Sequence, residues 1–258
     1  GLGSEDEMRA IARRMKQDGH SNVLAFLPKG DWGVRMEKAL RGAADKQGIT
    51  LLETVQHDGD SNLNRIVADG FNITQSRRRA NALMRLTGTT MRFEPRRRQD
   101  VDAIVLLASP ENARRINPLF AFYYGGDLPV YGSSLLYRGS PDPARDSDLD
   151  GIRFTDIPWV LGAAPPERDA LQSLFPALAT NYDRLFALGF DSYRLTHQIQ
   201  LLNEIQAYRY QGVTGTIRNS ANGSFQRIPD WASFREGDPK PLPETEKRLP
   251  EAPNTTRQ

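Results

Sequence analysis

The sequence predicts an α/β fold, an open parallel sheet flanked by helices. Three observations predict it. Val23-Leu24-Ala25-Phe26-Leu27 and Ala103-Ile104-Val105-Leu106-Leu107 are continuously apolar, the pattern of strands buried on both faces. Segments with apolar residues at helical spacing alternate with these runs. Glycine and proline punctuate the junctions.

Each element can be justified in order. Ser4-Glu5-Asp6-Glu7 reads as a capping box, with Met8, Ile11, Ala12 and Met15 following on one helix face and Gly19 as the stop. Strand 23–27 then turns at Pro28-Lys29-Gly30. Asp31 can cap a helix carrying Met36, Leu40 and Ala43, which stops at Gly48. Residues 49–55 are the next strand and complete a βαβ unit. Residues 62–99 read as one or two polar helices, interrupted at Gly70 and Gly88, inserted over the sheet edge. Strand 101–107 follows. Ser109-Pro110 then opens a helix through Ile116 and Phe120, with a kink at Pro118. Short strands are expected at 128–131 and 151–154, and a long helix from Asn181 to about Ala207. Asn222-Gly223 between 212–217 and 224–228 signals a hairpin.

Composition bounds the function. Of the 258 residues, 26% are charged and 38% hydrophobic, which suits a folded chain, and the net charge of only +2 demands no acidic partner. Cysteine is absent, so thiolate chemistry and disulfides are excluded. His20, His57 and His197 lie far apart and read as ordinary surface histidines. No nucleophile elbow, Walker loop or G-x-G-x-x-G follows a strand, and no pattern assigns a catalytic residue, a metal or a cofactor.

Three weaker constellations remain. Asp146, Asp148 and Asp150, followed by Gly151, copy half of a calcium loop but lack the carboxylate at its twelfth position; a polar turn competes with that reading. Arg77, Arg78, Arg79, Arg85, Arg92, Arg96, Arg97 and Arg98 form an arginine cluster. It can pair internally with Asp69, Asp100 and Asp102, or offer a protein contact at Arg96, Arg97 and Arg98, or bind nucleic acid. Asp31, Trp32, Ser109, Asp156 and Trp159 all fall just beyond strand ends, where α/β sheets bind ligands, and form a candidate cleft. The tryptophans could equally pack a domain edge.

Several segments together resemble a known family. They are Asp31-Trp32-Gly33, 93–104 from Phe93-Glu94-Pro95 to Ile104, and Gly126-Asp127-Leu128-Pro129-Val130-Tyr131. Asp148-Leu149-Asp150-Gly151, Asp156-Ile157-Pro158-Trp159, Leu188-Gly189-Phe190-Asp191-Ser192-Tyr193 and Gly212-Val213-Thr214-Gly215 follow in the expected order. The chain resembles the LppC family, the LpoA-type outer-membrane lipoproteins of Gram-negative bacteria. The resemblance implies a type I periplasmic-binding-protein-like fold, mostly the second lobe plus late helices of the first. It implies a lipid-bearing cysteine, a helical domain and the first βα units upstream of Gly1. It further implies a non-enzymatic periplasmic regulator that activates a bifunctional class A penicillin-binding protein and promotes peptidoglycan synthesis, with peptidoglycan itself as a possible ligand and no nucleic acid. Alternatives are a small-molecule solute-binding or sensor domain and a nucleic-acid-binding protein. The expected layout is a lead helix at 1–20, an α/β core at 21–160 holding the arginine insertion at about 62–99, helices packing toward the first lobe at 161–211, a hairpin and C-terminal segment at 212–240, and a disordered tail at 241–258.

Overall fold

A computed structural model describes residues 3–59, 62–88, 93–162, 166–205, 207–220 and 223–242. In chain order these form α1 (Ser4–Gln17), β1 (Asn22–Pro28), α2 (Asp31–Gln47), β2 (Thr50–His57), α3 (Leu63–Gly70), α4 (Ile73–Thr87), β3 (Ala103–Leu106), α5 (Pro110–Phe122), β4 (Val130–Gly132), α6 (Pro143–Asp146), β5 (Arg153–Asp156), α7 (Pro158–Leu161), α8 (Glu167–Leu174), α9 (Pro176–Leu195), α10 (Ile199–Glu204), β6 (Tyr210–Gly212), β7 (Gly215–Asn219), β8 (Phe225–Ile228), β9 (Asp230–Arg235) and β10 (Asp238–Leu242).

The main sheet has seven strands in the order β10-β9-β5-β4-β3-β1-β2. Strands β1 to β5 run parallel; β9 and β10 add an antiparallel end beyond β5. Strand order reverses between β1 and β3, which makes their carboxyl ends the switch point of the sheet. Strand alternation sorts the core onto two faces. Leu24, Phe26, Ile104, Leu106 and Phe154 pack with Val67, Phe71 and Phe120 on one. Val23, Ala25, Leu27, Val105 and Tyr131 pack with Met8, Ile11, Met15, Met36 and Leu40 on the other. Phe26, Phe71 and Phe120 form a triangle of rings with centroids 5.0–6.4 Å apart. β6, β7 and β8 make a separate antiparallel sheet.

Several expectations change in the folded chain. Ser4 does not cap α1: the cap position is Gly3, and no side chain bonds there. Glu7 instead turns to a partner far along the chain. Gly30, not Asp31, precedes α2, and Gly48 ends that helix in the left-handed conformation at φ 67°. The long late helix divides into α9 and α10 and begins before Asn181. β9 and β10 carry no clear sequence signal, because Pro239 and Pro241 read as strand breakers. β10 accepts them because it is the outermost strand of the sheet. Of the 62–99 segment, α3 packs on β2 and α5 as a crossover helix with Leu63 and Val67 buried, whereas α4 buries only Ile73 and Ser76. The expected disordered tail starts too early, since Pro241 and Leu242 pair with β9 in β10. Arg92 of the arginine cluster, the turn residue Asn222 and the residues from 243 onward lie outside the described residues.

Candidate binding cleft at the carboxyl edge of the sheet

The carboxyl edge divides into two halves. Over β1 and β3 the chain leaves the strands through short turns into helices. Gly33 is what lets α2 start so close to β1: a Cβ there would lie 1.7 Å from the Pro28 carbonyl oxygen. This brings Asp31, exposed, and Trp32, half-buried against the α1–α2 face, to the rim. On the neighbouring strand, Ser109 caps α5, its hydroxyl accepting from the Asn112 N–H at 3.4 Å. These three residues stand at the ends of adjacent strands.

The other half, over β4 and β5, is sealed by charge. Glu7 of α1 accepts from the Ser134 N–H at 2.8 Å and the Ser134 hydroxyl at 2.9 Å, just past β4. Asp156, the last residue of β5, is buried and accepts from the Arg184 guanidinium of α9 at 2.5 and 3.0 Å. Arg184 also donates to the Tyr137 carbonyl at 2.8 Å. Burial alone would lower the Arg184 pKa, but the Asp156 carboxylate outweighs it and holds the cation above its ordinary range. Glu7 has no such direct cation. Burial pushes its carboxyl up to about 7, with the Asp156 charge adding and the Ser134 N–H and hydroxyl and the Arg227 charge opposing. Trp159 is buried too, its indole N–H donating to Asp183 at 3.1 Å, and Asp183 also takes Arg168 at 2.8 Å. Of the five candidate cleft residues, Asp156 and Trp159 therefore dock α9, while Asp31, Trp32 and Ser109 face the rim.

His57 overturns its reading as a surface residue. It ends β2 with its side chain buried, and its Nε2–H donates to the Leu107 carbonyl at 3.0 Å, spanning the end of β1. Among the described residues its Nδ1 has no hydrogen-bond partner, and burial lowers its pKa. His20 packs edge-on to Tyr131, and His197 lies exposed beside Tyr193.

The three arginines after Pro95 divide as well. Arg97 is drawn inward: it donates to the Tyr124 carbonyl at 2.8 Å and to Asp127 at 2.7 Å. Arg98 forks onto Asp100, both bonds 2.8 Å, and reaches Glu53 at 2.9 Å. The Asp100 hydrogen bonds raise the pKa of Arg98, and Arg98 in turn holds the Asp100 carboxyl low. Arg96 alone of the three is exposed, and among the described residues it forms no ion pair. Asp69 pairs with Arg65 instead, and Asp102 accepts from the Ser21 and Asn22 N–H groups.

The aspartates of the half calcium loop do not converge. Asp146 is bound by Arg114 at 2.6 Å, Asp150 accepts from the Glu236 and Gly237 N–H groups, and Asp148 is exposed. Among the described residues no group of three or more acidic or histidine side chains is placed to hold a metal ion, and no helix is long and apolar enough to cross a membrane.

Sequence reasoning missed Glu7, Ser134, Arg184 and Arg227, because their partners are distant in sequence. Only Arg184, between Tyr182 and Leu185-Phe186, carried a local hint of a partly buried charge.

A doubly wound sheet with a helix docked over part of its carboxyl edge has the layout of a lobe of the binding-protein type. A solved substrate-binding protein of an ABC transporter from Desulfitobacterium hafniense, in complex with Leu, shares this fold at TM-score 0.51 and 16% identity, over 93% of this chain and 65% of that one. The C-domain of Haemophilus influenzae LpoA, a regulator of PBP1A, matches at TM-score 0.68 and 22% identity, over 94% of this chain and 68% of that one. The family model described as "LppC putative lipoprotein" matches residues 1–237, and the chain belongs to that family. The penicillin-binding protein activator LpoA of Photobacterium profundum is 27% identical over 90% of this chain. The chain spans only 38% of that relative's length.

Proposed function

We propose that this protein is a non-catalytic periplasmic regulator that binds a bifunctional class A penicillin-binding protein and stimulates its peptidoglycan synthesis. The observation that carries this reading is family membership across residues 1–237, with a relative named as such an activator. The site is consistent with a structural role: Asp156 and Trp159 at the carboxyl edge hold α9 in place. We place the protein at the outer membrane, anchored by lipid outside this cysteine-free chain. Arg96 is the member of the 96–98 triplet that a partner can reach.

The test is reconstituted peptidoglycan synthesis by a class A penicillin-binding protein with and without the purified protein. Stimulation with saturable binding supports the reading. An unchanged rate, with no binding by folded protein, sinks it.

A second reading is favoured by the switch point of the sheet between β1 and β3. Asp31, Trp32 and Ser109 occupy the position where binding proteins of this fold take ligands. A thermal shift with amino acids or peptidoglycan fragments that Trp32→Ala abolishes would bring this reading forward.

A further inference from the structure

α4 handles its arginines differently from most of the molecule. Its 15 residues hold Arg77, Arg78, Arg79 and Arg85 and no Asp or Glu. Since the chain nets +2, the residues outside α4 net −2. Elsewhere arginines close on carboxylates, as Arg97 does on Asp127, Arg98 on Asp100, Arg114 on Asp146 and Arg184 on Asp156. Among the described residues the four arginines of α4 form no ion pair, and all four are exposed.

Helical spacing sorts the rest of α4. Ile73, Ser76, Ala80 and Met84 share one face; the first two are buried and the others half-buried. Arg78 and Arg85, seven apart, lie on the opposite face. Arg79, Leu83 and Leu86 form a neighbouring strip, with Leu86 85% and Leu83 50% exposed. The patch continues past the helix. Phe93, 43% exposed, Arg96 and the exposed Glu94 line a hollow together with Ser76 of α4; Glu94 is the carboxylate at its margin.

In water this surface carries two unrelieved costs, repulsion among like charges on one helix and wetted leucines. A surface bearing carboxylates and apolar side chains relieves both, and arginine forks suit carboxylates in particular. We infer that the Arg79–Leu83–Leu86 strip of α4, with Phe93 and Arg96, is a docking surface for an acidic, partly apolar protein face. Under the activator reading, on which this inference rests, that face belongs to the penicillin-binding protein. Arginine and aromatic residues such as Phe93 are enriched at protein interfaces. A polyanion would use the charges and leave Leu83 and Leu86 wet. An interfacial membrane helix needs a broad apolar face, and the broad face of α4 turns toward its own protein.

The experiment compares wild type with Arg79→Glu/Arg96→Glu, with Leu86→Ser, and with Arg235→Glu as an exposed control far along the chain. Binding to the periplasmic part of a class A penicillin-binding protein is measured at low and high salt, beside heparin and phosphatidylglycerol vesicles. Charge reversal should weaken protein binding about tenfold or more and flatten its salt dependence. Leu86→Ser should weaken it about fivefold at either salt. Arg235→Glu should change nothing. Equal binding by all variants overturns the docking surface and leaves the activator reading standing. A wild type that does not bind the synthase overturns both. Retention on heparin or vesicles that charge reversal abolishes, without loss of synthase binding, overturns the protein assignment in favour of a polyanion or lipid. A lowered melting temperature in the charge-reversed or Leu86→Ser variant places α4 against another part of the same protein and also overturns it.

Discussion

Glu7 shows how a single residue changes meaning on folding. In sequence it completes a capping box; in the structure its carboxylate is buried, bonded to Ser134, and faced by Asp156, Arg184 and Arg227. Its pKa is raised from 4.5 to about 7, first by burial. The folded state therefore holds a proton that the unfolded state gives up. The resulting stabilisation is complete below pH 4.5 and is lost as pH rises through about 7. The span between the two values corresponds to about 3 kcal/mol. Glu7→Gln keeps the shape and removes the titration. Urea unfolding at a series of pH values should show wild-type stability falling across this window and the variant's holding level by comparison. Parallel pH profiles for the two proteins would show that Glu7 is ionised throughout. Asp191 is a second buried carboxylate, with a structural partner set. It takes the Val213 and Thr214 N–H groups and the Thr214 hydroxyl at 2.6–3.0 Å, and so joins α9 to the loop before β7.

Within elements, spacing decides more than composition. α2 contains two glycines with opposite roles. Gly33 faces the end of β1, where a methyl group would collide with the Pro28 carbonyl; Gly42 is exposed with nothing within 4 Å of a built Cβ. Gly33→Ala should cost about 3 kcal/mol by forcing α2 off the strand. Gly42→Ala should stabilise by about 1 kcal/mol through helix propensity. Chemical denaturation of both variants checks the pair; equal effects would mean that α2 does not sit this close to β1. α2 was legible in sequence because its apolar spacing and stop glycine are local. The same holds for α5, whose Ser109 cap and Pro110 start are both in place. The break between α9 and α10 was not legible, since no proline or glycine marks Thr196-His197-Gln198.

Across the whole molecule, the two core clusters lie on opposite faces of one sheet and share its strands. They should therefore unfold together. Trp32 and Trp231 report on one face and Trp159 on the other. Tryptophan fluorescence and far-ultraviolet circular dichroism should give one coincident urea transition. Two separated transitions would show that α7 to α9 form an independent unit. Charge is distributed less evenly than the core: α4 holds an arginine-rich surface on a molecule otherwise slightly negative. Net charge alone concealed this asymmetry.

The sequence by itself determined the α/β class, the parallel order of helices and strands through β5, and the family. Those features rest on local periodicity, caps and short motifs, which a chain carries wherever it folds. Only the tertiary structure decided that Asp156 and Trp159 hold α9, that His57 is buried, and that β9 and β10 extend the sheet. It also separated Arg97 and Arg98, bound to their own protein, from Arg96 and α4, which face outward. Most of these depend on partners tens of residues away; the Arg98–Asp100 pair, two residues apart, was within reach of the sequence. For the rest, burial and pairing are properties of that assembled neighbourhood, and no local pattern encodes them.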